Sequence, residues 1–295
     1  MKILILGGGQ DGLILSFLLS KKFNVKHKLI VRSKNKFANY YSDIIEIGSF
    51  ITNFASLKNI IKKEKPSHII NTVALSSSKE CNNNKKEAFE INSYFVEKLC
   101  KFTKESNFIL IHFGSILEKQ NRPNCVYTQS KILASNFIKN TENKRIRSIY
   151  LPNHESPLRD NRFFIRELIN KFQEFSINSE NNKELEIFLS NGTVIREWSW
   201  APNLLNAIIN MIIEDKYYNS FNDIVCRASL LQFTSLVGLV LNVNDLKIDC
   251  NYSGTYKIND IDLPKEKQKM NEWIKLLFSI DYNKRYELNS WCFII

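Results

Sequence analysis

Residues 2–12 read Lys2-Ile3-Leu4-Ile5-Leu6-Gly7-Gly8-Gly9-Gln10-Asp11-Gly12. The apolar run predicts a short buried strand, the glycines end it, and a helical pattern follows from Gln10 to about Lys21. Working outward, the alternation continues. Val25–Arg32 and Asp43–Ile47 read as strands, Ala55–Lys63 as a helix and His68–Ala74 as a strand. A long helix then covers Lys85–Lys104, Phe108–Phe113 is a strand, a helix starts near Val126, and Arg147–Leu151 is a strand. Strands alternating with helices at this spacing predict a parallel sheet covered on both faces, and right-handed crossovers make it doubly wound α/β. Beyond about residue 152 the regularity fades. Asn161–Phe172, Pro202–Glu214, Ser229–Leu241 and Pro264–Phe278 read as helices, Leu185–Leu189 as a strand and 178–183 as a loop. The expected organisation is a sheet domain over 1–152 and a smaller α+β lobe over 153–295, some of whose segments return to the sheet.

Composition bounds the function. Of 295 residues only 9 are glycine, where an average chain carries roughly twenty. Four of them crowd into positions 7–12, so close backbone approach is needed there. Hydrophobic residues make up 44% and charged residues 24%, values of an ordinary globular chain. No run of about eighteen apolar residues predicts a membrane helix, and the apolar opening is cut off too early for a signal peptide, so the expectation is a cytoplasmic protein. The 6 cysteines are scattered, with no C-x-x-C pair and none beside a histidine, so neither a metal site nor a disulfide framework is expected. The net charge of +11 is spread along the chain rather than gathered in a patch. It fits anionic small molecules, with neither nucleic acid nor membrane as partner.

Gly7-x-Gly9-x-x-Gly12 between a strand and a helix is the turn of a Rossmann dinucleotide site. The first glycine allows the tight turn, the second admits a pyrophosphate and the third lets helix and strand pack closely. The helix N-terminus adds unpaired N–H groups and partial positive charge. At the end of the second strand stand Arg32, Ser33 and Lys34 instead of an acidic residue. Arg32 can grip a 2′-phosphate, so NADP is favoured, with NAD the alternative.

Tyr127-Thr128-Gln129-Ser130-Lys131 sets a phenol and an ammonium four residues apart, on one helix face. A nearby cation favours the phenolate and makes Tyr127 a usable base. Tyr94 and Lys98 repeat the spacing, but they fall inside the preceding helix, away from the strand ends where ligands bind, and read as structural. Tyr127 opens the helix after the strand that ends in Ser115, where a serine and a tyrosine can meet over a bound nicotinamide.

The glycine turn followed by Tyr-x-x-x-Lys resembles the extended short-chain dehydrogenase/reductase superfamily. Within it, Gly9-Gln10-Asp11-Gly12, Asn71-Thr72-Val73-Ala74-Leu75-Ser76 and above all Asn153-His154-Glu155-Ser156-Pro157-Leu158-Arg159 resemble GDP-mannose 4,6-dehydratases. So do Phe163–Arg166 and Leu189–Trp198, and Asn92 sits where that family has a helix Asn or Asp. The resemblance implies an NADP-dependent dehydratase acting on a GDP-hexose or close analogue in polysaccharide biosynthesis, as a homodimer or homotetramer. It places Gln10, Asp11, Ala74 and Lys131 at the cofactor. It places Ser76, Asn153, Glu155, Arg159, Arg166 and Arg196 at the nucleotide sugar, His154 as a positioning residue, Tyr127 as the base at the sugar 4-hydroxyl and Glu118 as the acid/base at C5. Ile116 stands where the family has a catalytic threonine, with Ser115 as the neighbouring hydroxyl. A keto-reductase or epimerase on the same fold is the alternative, and a non-enzymatic cofactor sensor or RNA-binding protein a third reading.

Overall fold

The computed structural model describes residues 1–33, 43–49, 51–119, 125–177, 184–217, 221–243, 245–251, 254–258, 261–280 and 284–293. Lys34 and the loop 178–183 lie outside the described residues. The chain forms two compact units, Met1–Leu151 with Leu205–Asn219, and Pro152–Leu204 with Ser220–Ile295.

The first unit carries β1 (Lys2–Leu6), α1 (Gln10–Lys21), β2 (Lys26–Val31), β3 (Ile44–Glu46), α2 (Phe54–Glu64) and β4 (His68–Asn71). There follow α3 (Ser78–Asn83), α4 (Lys85–Phe89), α5 (Phe95–Lys104), β5 (Ile109–Ser115), α6 (Val126–Thr141) and β6 (Ile146–Leu151). Six parallel strands lie in the order β3-β2-β1-β4-β5-β6. That is the doubly wound order, which reverses between β1 and β4 and opens a crevice at the carboxyl ends of those two strands. β1 and β4 are buried without alternation because both faces are covered. Leu4, Leu6, Ile69, Phe95, Leu99 and Leu110 pack into one core under α2, α5 and α6.

The expected long helix over Lys85–Lys104 is interrupted. A π-helical turn at Glu90–Tyr94 separates α4 from α5, and α3, absent from the sequence reading, precedes them, capped by the Ser77 hydroxyl on Glu80 N–H. π turns insert one residue and redirect the side chains that follow.

The second unit is built around β7 (Asn153–Glu155), α7 (Phe164–Ile177), β8 (Leu185–Leu189) and β9 (Ile195–Trp200), from which α8 (Ala201–Glu214) leads back into the first unit. It continues with β10 (Cys226–Ser229), α9 (Leu230–Val240), β11 (Leu246–Cys250), β12 (Gly254–Lys257) and α10 (Lys267–Ser279). Its two sheets run β10-β9-β7 and β12-β11-β8. Aromatic packing organises it: Trp198 stacks on Phe233 at 4.8 Å, Phe233 on Trp273 at 5.6 Å, and Trp200 meets Trp291 edge-on at 5.9 Å. Ser229 and Gln232 form a reciprocal cap at the start of α9. Among the described residues, no helix is long and apolar enough to cross a membrane.

Candidate active site

The turn after β1 divides its glycines by task. Gly7 has φ +109°, and a Cβ there would stand 2.7 Å from Thr72 Oγ1, which donates to Leu6 O. A Cβ on Gly12 would stand 1.8 Å from the carbonyl oxygen of Gly7, so α1 is seated directly on the turn. Gly9 differs: a Cβ there would meet nothing within 4 Å. Packing does not require Gly9; the space above it is a cradle that a side chain would fill. Gly9 is also the N-cap of α1 with no side chain bonded across the helix end, the end at which a helix favours an anionic ligand. These residues fit a dinucleotide pyrophosphate. Gln10 Nε2 donates to Asp11 Oδ1 in the first turn. Arg32 is exposed just beyond β2, and Ala74 and Ser76 are exposed beyond β4.

Tyr127 and Lys131 occupy successive turns of one face of α6. Lys131 is 2% exposed. One of its three N–H groups donates to Phe113 O at 2.7 Å. Burial lowers the pKa of its ammonium, against the opposing charges of Glu118 and Asp11. His112, hydrogen-bonded to Asn71, is held well below its usual pKa by burial and by Lys131. Lys131 is therefore the cation of a desolvated site, where its field on a neighbouring phenol is strongest.

Glu118 lies on a 3-10 turn (Ile116–Lys119) that follows β5. Its Oε1 accepts from Ser115 N–H at 2.5 Å, and its Oε2 accepts from the Ser135 hydroxyl. Ser135 also meets Tyr150 Oη at 3.4 Å. Burial raises the Glu118 carboxyl pKa, opposed by Ser135, Lys131, the Ser115 amide and Lys139. The Ser115 side chain accepts from Leu117 N–H. Ser135 and Tyr150 were not foreseen, although Ser135 is four residues beyond Lys131 and extends the same helical stripe.

Asn92, presented by the π turn, is fully buried. Its Oδ1 accepts from Leu75 N–H, and its Nδ2 donates to Leu75 O and to Ser130 Oγ. Ser130 Oγ donates in turn to Tyr127 O. One amide thus ties the loop carrying Ala74 and Ser76 to the helix carrying Tyr127.

In the second unit, β7 pairs in parallel with β9, Asn153 opposite Trp198 and Glu155 opposite Trp200. Side chains alternate along strands, so Asn153, Glu155 and Arg196 share one face of this sheet. Asn153 Nδ2 donates to Glu197 O, and His154 Nδ1 bonds Pro152 O. Arg159 donates to His154 O, lies 4.2 Å over the Phe163 ring and stands 3.7 Å from Glu155. Glu155 and Arg166 are 5% and 6% exposed. Buried Arg166 and partly buried Arg159 against the one carboxylate of Glu155 leave an excess of positive charge, the electrostatics that suit a diphosphate.

Comparison with known proteins adds to this geometry. A family model described as “NAD dependent epimerase/dehydratase family” matches residues 3–222. No curated protein matches the sequence. Among solved structures, the chain is similar to a UDP-glucose 4-epimerase from Thermotoga maritima, determined with UDP-glucose (14% identity over 94% of this chain and 97% of that one, TM-score 0.71). It is also similar to a dTDP-glucose 4,6-dehydratase from Bacillus anthracis in complex with NAD (14%, 93% and 96%, 0.68). A dTDP-4-dehydrorhamnose reductase from Clostridium acetobutylicum shows the same likeness (17%, 94% and 99%, 0.68). At such identities the likeness is one of fold, and that fold hosts an epimerase, a dehydratase and a reductase, so the reaction has to be argued from the site.

Proposed function

Because the chain belongs to the NAD dependent epimerase/dehydratase family, we propose that it is a nucleotide-sugar enzyme that binds NADP over Gly9 and works at C4 of a GDP-linked hexose. The observation that carries the reading is the buried Lys131 one helical turn below Tyr127. A bound nicotinamide supplies the hydride acceptor and donor. Tyr127 Oη takes and returns the proton of the substrate hydroxyl. Lys131 favours the phenolate, and its remaining N–H groups are suited to a ribose. Asn153, Arg159 and Arg196 hold the nucleotide and diphosphate, and Ser76, Glu155 and Arg166 contact the substrate.

The Asn153–Arg159 string favours completion of this chemistry as 4,6-dehydration, with Glu118 as the C5 acid/base. Two observations favour keto-reduction or epimerisation instead, which need no carboxylate at C5. Both Glu118 oxygens are engaged by protein donors, and Ile116 offers no hydroxyl. Incubation with GDP-mannose and NADP decides between them. A product lighter by one water supports dehydration. NADPH consumption with a 4-keto sugar nucleotide, or inversion at C4, supports the second reading. None of these, with cofactor demonstrably bound, overturns both.

The preference for NADP rests on Arg32. Arg32→Ala is expected to weaken NADPH binding on the order of tenfold to a hundredfold, the loss of a charge-assisted contact, and to leave NADH binding unchanged. Fluorescence titration with both nucleotides checks it; equal losses for the two would remove the 2′-phosphate contact.

A further inference from the structure

Glu118 is partly buried in a place built for it. Gly114, one of only 9 glycines, lies beneath it: a Cβ there would stand 2.9 Å from Glu118 Oε1 and 3.0 Å from Tyr150 Cδ1. Gly114 has no positive φ, so what its missing side chain provides is clearance. The backbone of β5 is left bare where the carboxylate and the Tyr150 ring lie against it. Ser115 N–H and the Ser135 hydroxyl then engage one oxygen each. Three elements, β5, α6 and β6, thus define one position for a charged group.

From this geometry we propose that Glu118 and Ser135 are positioning residues. Ser135 holds the Glu118 carboxylate as the brace of the turn after β5. The proposal rests on the second reading above, in which no carboxylate acts at C5. Ser135 follows Lys131 by one helical turn, so the Tyr127–Lys131 stripe ends in the group that orients that carboxylate. The charges around it are few. Lys131 and Lys139 act on Glu118 from α6. Lys119 lies 4.6 Å over the Tyr150 ring. Lys131 in turn faces Asp11 from α1, Cys81 from α3 and His112 from β5.

The direction of the pH effect follows. Burial raises the Glu118 carboxyl pKa from its ordinary value, and the Ser135 hydroxyl opposes this by donating to the ionised form. As pH falls through that raised value, Glu118 takes up a proton and Lys131 keeps only Asp11 as an opposing carboxylate. The turn after β5 loses its brace at the same step, so the part of an acid limb in NADPH binding or turnover that tracks this carboxyl, beside the titration of the ligand's own 2′-phosphate, belongs to Glu118. Removing the Ser135 hydroxyl moves that limb to higher pH.

The test follows the carboxyl by infrared difference titration of the full chain, which needs no turnover. A band absent from Glu118→Gln is expected. Its midpoint should shift up by about one pH unit in Ser135→Ala and return in Ser135→Thr, with the acid limb of NADPH binding moving in parallel. An unmoved midpoint in Ser135→Ala, or a limb that stays while the midpoint moves, overturns the proposal. So does a Glu118→Gln variant that binds NADPH normally but loses turnover a hundredfold, which would make Glu118 a catalytic acid/base. Failure of NADPH binding in the unsubstituted protein counts against the proposed cofactor, while the infrared shift still tests the Ser135–Glu118 pair.

Discussion

Tyr127→Phe is expected to lower kcat by about 10²–10⁴-fold, the range for loss of a positioned general acid/base, which corresponds to about 3–5 kcal/mol of activation free energy. The substitution removes one oxygen and keeps the ring. Tyr127 packs at the edge of the small cluster of Cys81, Ala88 and Val126, so that contact survives. Lys131 keeps its bond to Phe113 O, because that contact is made by the ammonium and a strand carbonyl alone. NADPH affinity should stay within about threefold if the phenol acts in chemistry rather than binding. Stopped-flow and equilibrium titration separate the two. A fall in affinity that matches the fall in rate would place Tyr127 in binding instead.

The second expectation contrasts two glycines three residues apart. Gly12→Ala puts a methyl 1.8 Å from Gly7 O. The neighbour is backbone, held by Gly7 N–H to Ile30 O, and cannot swing aside as a side-chain tip could. A destabilisation on the order of 3 kcal/mol or more is expected, from the overpacking mechanism at its severe end. Gly9→Ala adds the same methyl where nothing lies within 4 Å. Its φ of −79° is ordinary for alanine, so stability should change by less than about 1 kcal/mol. Its methyl, however, would occupy the approach to the helix end, and NADPH affinity should fall at least about tenfold. Chemical denaturation and fluorescence titration on both variants give the outcome. A Gly9→Ala protein that binds NADPH normally would falsify the cradle.

The parts of the fold that could be read in the sequence are those with local causes. Ile3–Leu6, the glycines and the continuously buried apolar run of α1 lie within 21 residues, and strand, turn and helix each follow from local sequence. The π turn escaped because inserting one residue into a helical turn leaves composition and periodicity almost unchanged. β7 escaped for its length of three residues. β9 escaped because Trp198, Ser199 and Trp200 are buried in succession, without the alternation that marks a strand. The site divides the same way. Tyr127 and Lys131 are one turn apart and were legible as a pair. The partners of Glu118 on α6 and β6, and the clamp from Asn92 to Leu75 and Ser130, come from chain segments brought together only by folding. Resemblance supplied a role for Glu118; it could not supply the donors around it.

The first unit is discontinuous, and that has a consequence for the order in which the protein can be made. Leu205–Asn219 belongs with Met1–Leu151, and Arg147 of β6 lies 5.4 Å over the ring of Tyr217. A chain emerging from the ribosome can pair its six parallel strands by residue 151, yet the segment that completes that unit is synthesised only after residues 152–204. At 5–20 residues per second the gap lasts roughly three to ten seconds. During that interval the nascent sheet is whole while its own unit remains open.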